Sequence, residues 1–260
     1  MKTKPRPSDF RQILESVSRR HDTRKVFDAF VRFAACALAA QTREAEYLEE
    51  VKNWGRQDLD LFAQALGALI LEMEGRPFED VLGGYYMEFA LSHKGQKWNG
   101  EFHTPKPICD LIARITLEDV ESLPKDRPIT VCEPACGAGA MILSIAEACP
   151  PEVRRCLRVT AIDINRTACD MAFVNTTLWG VPTRVIHGNS LSLECWAAWS
   201  NIHWLMPWLA LVPMHPVSAM MPPGPCSDIA QGDPPTPAEM ERIRVSLRQP
   251  EFSFGYQSDS

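Results

Sequence analysis

The chain has 260 residues, enough to bury a substantial core as one α/β domain with a helical extension. Its 45% hydrophobic and 23% charged content excludes a disordered or fibrous chain. A net charge of −6 excludes global attraction to nucleic acid, so any affinity for DNA must come from a local patch.

Residues 1–25 offer one such patch, with eight basic side chains against three acidic ones. A solvated helix face carries the same pattern. The opening MKTKPRPSDF has charges but no apolar stretch, so it is not expected to be a secretion signal. Residues 8–92 read as helices. Ser8 can cap a segment that places Phe10, Ile13, Leu14 and Val17 on one face. Thr23 opens a second, with Val26, Phe27, Phe30, Phe33 and Ala34 at helical spacing. A third stripe runs from Leu59 through Phe62, Leu66, Leu69 and Met73 and ends at Gly75. The polar, glycine-punctuated run from Ser92 to Gly100 is a connector. The expected organisation is a helical domain at 1–98, a core at 99–221 and a proline-rich tail at 222–260.

From residue 101 the pattern alternates. A helix starts at Pro107 with Ile108, Leu111, Ile112 and Ile115 as its apolar positions. A strand is predicted at 128–132, an alanine-rich helix at 138–148 and a strand RVTAID at 158–163. A helix at 166–178, closed by Gly180, and a strand TRVIHG at 183–188 complete the series. Such alternation implies right-handed crossovers and a parallel, Rossmann-like α/β sheet, with ligands outside the carboxyl ends of the strands. Cys195 to Ser227 lacks charged residues, but Pro207, Pro213, Pro216, Pro222 and Pro223 break it well short of the ~20 apolar residues of a membrane span. Nine cysteines without a C-x-x-C pair, and no histidine cluster at metal spacing, point to a reducing, cytoplasmic setting without metal.

The stretch ITVCEPACGAGA (129–140) ends a strand in a carboxylate and two spaced glycines. Gly137 and Gly139 allow a tight turn and close backbone approach to a ligand. A dinucleotide loop would carry a third glycine where Ile142 stands, and Glu133 would repel a pyrophosphate. The acid suits a ligand with positive charge and no phosphate, which describes S-adenosylmethionine. Asp163, closing the second strand, can accept from two ribose hydroxyls; alternatively it caps the helix beginning near Arg166. Asn189, after the third strand, can offer its amide oxygen to an adenine amine.

These residues resemble a known family. EPACGAG (133–139) is similar to motif I of the DNA adenine-N6 methyltransferases, usually D/E-P-A-C-G-x-G. EFHTPKPICDLI (101–112) and EDVLGGYYMEFA (79–90) resemble the G-x-F-x-T-P and D-x-L-G-x-x-Y-E segments in the methylation subunits of type I restriction-modification systems. The likeness covers about 78–192. It implies a Rossmann-like, S-adenosylmethionine-dependent adenine-specific DNA methyltransferase. Thr104 would contact the methionine carboxylate of the cofactor, Glu133 would lie beside the methionine end and Gly137 beneath it. Pro134, Ala135, Cys136 and Gly139 would complete the cofactor loop, Asp163 would hold the ribose, and Asn189 replaces the usual aspartate at the adenine. The implied partners are DNA and a separate DNA-specificity subunit, since no target-recognition domain follows.

The sequence departs from that family at one step. Amino methylation calls for D/N-P-P-Y/F at the next strand tip, and SLSLECWAAWSNIHWLMPWLALV contains none. The D-P-P in QGDPPTP (231–237) makes Asp233 the candidate acceptor, with Thr236 where the ring belongs. Trp196, Trp199, Trp204 and Trp208 could instead stack a base with Asn201 as acceptor, or pack as a helix edge on the sheet. Two other functions fit: a cofactor- and DNA-binding module without transfer activity, and a methyltransferase acting on a protein or small molecule.

Overall fold

A computed structural model describes residues 9–39, 42–91, 104–117 and 120–206, all within one compact unit spanning 1–216. Five helices come first: α1 (Asp9–Ser18), α2 (Thr23–Leu38), α3 (Glu44–Val51), α4 (Arg56–Glu74) and α5 (Val81–Leu91). The α/β part follows as α6 (Lys106–Leu117), β1 (Ile129–Glu133), α7 (Ala140–Ala148), α8 (Pro151–Arg154) and β2 (Leu157–Asp163). It continues with α9 (Arg166–Leu178), β3 (Thr183–Asn189), β4 (Glu194–Ser200) and the short α10 (Ile202–Leu205).

The helices start and stop where local chemistry dictates. Asp22 caps α2 by accepting the Lys25 amide at 3.0 Å, and Gly75 follows the last turn of α4. Their apolar stripes meet in one cluster, where Phe10 packs against Phe30 and Tyr85 at centroid distances of 5.0 and 4.9 Å. Each fully buried side chain of this size contributes about 1.5–3 kcal/mol.

The sheet order is β1-β2-β3-β4. The first three strands are parallel, as the alternating pattern requires, and α7 and α9 carry their crossovers. The fourth strand was not anticipated. The tryptophan-rich stretch, expected as a helix edge, is β4, an antiparallel return along the outer side of β3. Its alternation is masked by Trp196, an extra residue at the bulge opposite His187 and Gly188. Among the described residues nothing pairs with the outer side of β1, so β1 and β4 are the two edges.

The helical segment is tied to the sheet through α9. Thr167 Oγ1 donates to Asp28 at 3.0 Å, and Arg43 Nη2 donates to Asp170 at 2.7 Å. Asp170 also takes the Arg32 Nε at 2.7 Å and the Arg166 Nε at 3.3 Å. Three guanidinium groups therefore converge on one buried carboxylate. Trp199 of β4 lies under two of them, its ring centroid 4.5 Å from Arg43 and 4.1 Å from Arg166. Among the described residues, no helix is long and apolar enough to cross a membrane.

Candidate active site

The register sets the geometry of the site. Glu133 pairs with Ala161 and Asp163 with His187, so the tips of β1, β2 and β3 step outward along one edge. Because side chains alternate along a strand, Glu133, Asp163 and Asn189 share the sheet face of Val159, Ala161 and Val185. That is the face carrying the buried positions of β2 and β3.

The loop after β1 is wound tightly. Cys136 N donates to Ile162 O at 2.9 Å and Gly139 N to Cys136 O at 2.8 Å. Gly137 (φ 51°) and Gly139 (φ 91°) both occupy the left-handed region, which disfavours a side chain. A Cβ on Gly139 would stand in ordinary contact with Ala172 Cα at 3.5 Å, so it is the left-handed backbone angle rather than lack of space that calls for glycine there. Glu133 Oε1 accepts the Ala135 amide at 3.3 Å within the loop. Cys136 is buried, and burial pushes its thiol well above the ordinary value, which keeps it neutral and unsuited to nucleophilic work.

Asp163 joins two strand tips. Its Oδ2 accepts the Gly137 amide at 2.9 Å and its Oδ1 the Asn165 amide at 2.8 Å. The helix cap is a different residue: Asn165 Oδ1 accepts from Thr167 N at 2.8 Å and Ala168 N at 3.4 Å. Each Asp163 oxygen retains a lone pair, so the carboxylate can still accept from a diol. Ile164 follows it, 64% exposed, and presents an apolar surface beside the acid.

Asn189 is held by its own turn. Its Oδ1 accepts from Leu191 N at 2.9 Å and Ser192 N at 3.3 Å, which fills both lone pairs. The oxygen that the sequence assigns to an adenine amine is therefore engaged, and the free polar group is the Nδ2 donor.

Thr104 lies just before α6, in a cavity of about 200 Å³ shared with Asp80, Gly83, Gly84, Ala140 and Ser144. Ala140 connects this cavity to the glycine loop, while Glu133, Asp163 and Asn189 are not among its walls. Lys106, at its rim, is committed to Asp110 (3.0 Å) and Glu147. Two residues that sequence reasoning overlooked bind these parts together. Buried Asn175 donates Nδ2 to Ala138 O at 2.9 Å and to Asp80 Oδ1 at 2.9 Å. Asp80 in turn accepts the Gly83 amide at 2.7 Å. The available signal was a lone asparagine inside the apolar run MAFVNTTLW.

Among the described residues the tryptophans do not assemble a platform. Trp199 is buried and donates Nε1 to Glu46 at 3.1 Å. Asn201 is fully buried, accepting Thr183 N at 3.1 Å and Trp204 N at 3.0 Å, so it serves as a structural cap. Trp204, in α10, is partly buried, and Trp196 stays half exposed, edge-on to His187 at 4.9 Å. The basic patch is also largely neutralised where it is described: Arg11 pairs with Glu15 and Glu88, Arg20 with Asp58, and Arg24 with Asp28. Asp233 and Trp208 lie outside the described residues.

The chain is similar to known proteins. It is 28% identical over 123 residues to the Type I restriction enzyme MpnII methylase subunit of Mycoplasma pneumoniae, a match covering 45% of this chain and 22% of that relative. This chain thus corresponds to under a quarter of that subunit's length. Two solved structures are similar over 72% of this chain. One is a candidate class I S-adenosylmethionine-dependent methyltransferase from Listeria monocytogenes, with 15% identity and a TM-score of 0.44 over 54% of that protein. The other is the type I restriction-modification system methyltransferase subunit from Streptococcus thermophilus, with 17% identity and a TM-score of 0.36 over 44% of that chain. The family described as N-6 DNA Methylase matches residues 78–207, half of the sequence, from the turn before α5 through α10. The glycine loop and the three strand tips all fall inside that match, and the chain belongs to the N-6 DNA Methylase family.

Proposed function

We propose that this chain binds S-adenosylmethionine and transfers its methyl group to adenine N6 in DNA, in the cytoplasm and with a separate DNA-specificity partner. The observation that carries the reading is the Asp163 carboxylate locked between the Gly137 and Asn165 amides with acceptor capacity left over. The donor set fits the cofactor. The rim offers acids and an amide, Ile164 supplies an apolar surface for a base, and the lysine beside Thr104 is spent on carboxylates. A phosphate-bearing ligand would find little to hold it there.

In this reading Thr104 holds the methionine carboxylate, and Glu133, Pro134, Ala135, Cys136, Gly137 and Gly139 shape the loop around the methionine end. Asp163 takes the ribose hydroxyls, and Asn189 donates through Nδ2 to a ring nitrogen of adenine. When bound, the cofactor supplies an activated methyl group. The protein's contribution is to orient it, which is where most of the rate gain of such a transfer arises.

A second reading has one observation in its favour. The described residues hold no acceptor at a fourth parallel strand tip, because β4 returns along β3 instead of lying beside β1. That arrangement suits a cofactor- and DNA-binding module without transfer, unless Asp233 supplies the acceptor. Incubating the full chain with labelled cofactor and unmethylated DNA, then digesting to nucleosides, separates the two. Labelled N6-methyladenine is the expected product. Cofactor binding without labelled DNA would favour the module, and no cofactor binding at all would remove both.

A further inference from the structure

We propose that Asp80 receives the α-ammonium of the cofactor, so that this chain selects adenosyl ligands carrying a free amino group. The proposal rests on the cofactor reading above and gives the start of the EDVLGGYYMEFA segment a chemical task. Asp80 and Thr104 share one cavity of about 200 Å³. That is below the ~300 Å³ at which pockets for whole small molecules begin, so it takes one end of a ligand.

Charge decides which end. Glu79 and Asp80 are the acids among the walls and Lys106 is the cation, itself paired with Asp110 and Glu147. The walls are therefore net negative and favour a cationic group. Glu79 lies 3.8 Å from Arg76, and its side chain is 44% exposed. Asp80 is anchored instead: its Oδ1 accepts the Gly83 amide at 2.7 Å and Asn175 Nδ2 at 2.9 Å. Asn175 is fully buried and also donates to Ala138 O at 2.9 Å, which fixes the carboxylate relative to the glycine loop. A carboxylate held in this way loses little further side-chain freedom when it binds.

Covalent structure narrows the assignment. In the cofactor the ammonium and the carboxylate are attached to one carbon. With the carboxylate at Thr104, as in that reading, the ammonium has to lie in the same cavity, which Asp80 lines and Glu133 does not. Ala140, another wall, opens α7, whose N-terminus has no side-chain cap and favours the carboxylate. The walls thus complement a zwitterion. That leaves Glu133 for the sulfonium, while the adenosyl part follows Ala140 out to the strand tips.

Titration calorimetry of the full chain with S-adenosylhomocysteine and with its desamino analogue, which keeps the carboxylate, ribose and adenine, tests this. The parent compound should bind about 10- to 100-fold more tightly, the range of one hydrogen bond to a charged partner. Asp80→Asn keeps an oxygen for the Gly83 amide and for Asn175. It should bring S-adenosylhomocysteine down to the level of the desamino analogue without weakening the analogue itself. A residue that only maintained the fold would weaken both alike. Should Asp80→Asn fail to fold, Asp80→Ser replaces it, with a hydroxyl to cap the Gly83 amide. Equal affinity of the wild-type chain for the two compounds, or equal weakening of both by the substitution, overturns the assignment and leaves the cofactor reading standing. Binding of neither compound overturns the cofactor reading and the assignment with it.

Discussion

Asp163 and Gly137 are 26 positions apart, and the carboxylate of one accepts the amide of the other at 2.9 Å. Through that bond the tip of β2 fixes the conformation of the loop that leaves β1. In the proposed function, loop geometry and ribose recognition would depend on the same side chain. A hydrogen bond to a charged partner contributes about 1.5–3 kcal/mol. Asp163→Ala should weaken S-adenosylmethionine binding ten- to hundredfold, measured by titration calorimetry on protein shown to be folded. Unchanged affinity would place the ribose elsewhere.

The buried ion cluster leads to an asymmetric expectation. Asp170 is the shared acceptor for Arg32, Arg43 and Arg166, and Arg43 is fully buried with Nε and Nη1 unpartnered among the described residues. Removing the carboxylate strands several cations, whereas removing Arg43 leaves Asp170 two partners. Asp170→Ala should cost about 3–5 kcal/mol of folding stability in urea titrations, and Arg43→Met clearly less. Equal losses would contradict this division of roles.

Gly188 sits at the bulge where β4 leaves register with β3. A Cβ there would overlap the backbone carbonyl oxygen of Glu194 and lie 3.2 Å from Cys195 Cα. Backbone cannot swing aside as a side chain can. Gly188→Ala should therefore destabilise the chain by about 1–3 kcal/mol. The indole of Trp199, which β4 carries beneath Arg43 and Arg166, should become more solvent-exposed. Fluorescence quenching of the tryptophans together with thermal unfolding measures both effects.

His203 sets an acid limit. Burial holds its imidazole below the ordinary histidine value, and the hydrogen bond of Nε2 to Thr177 O at 3.0 Å only partly offsets that. A group whose folded value is depressed gives stability that is present above its unfolded value, about 6.5, and lost as pH falls below it. Burial depresses His187 as well, so the two act in the same direction. Thermal midpoints should fall as pH drops from about 7 to 5, and His203→Gln should flatten part of that slope while His187 retains the rest. A wild-type midpoint independent of pH over this interval would refute the assignment.

Local chemistry made much of this protein legible before any fold was known. Gly180 closing the helix at 166–178, the glycines of EPACGAG and the alternation of apolar runs act within a few residues, so β1, β2, β3, α7 and α9 could be placed from sequence to within a residue or two, although the cap of α9 is Asn165 and not Asp163. Glu133, Asp163 and Asn189 could be assigned to one edge because parallel strands with right-handed crossovers align their carboxyl ends. Long-range partners decided the rest. No local rule says that Asn175 reaches both Ala138 and Asp80, that Asn189 spends its oxygen on its own turn, or that three arginines from α2, the α2–α3 loop and α9 share Asp170. The tryptophan-rich stretch misled because its bulge breaks the two-residue period and because cations bury a face that composition suggested for a base. Backbone preference and hydrophobic period fixed the elements; only packing in three dimensions, where remote groups compete for the same donors and acceptors, determined which side chains remained available for chemistry.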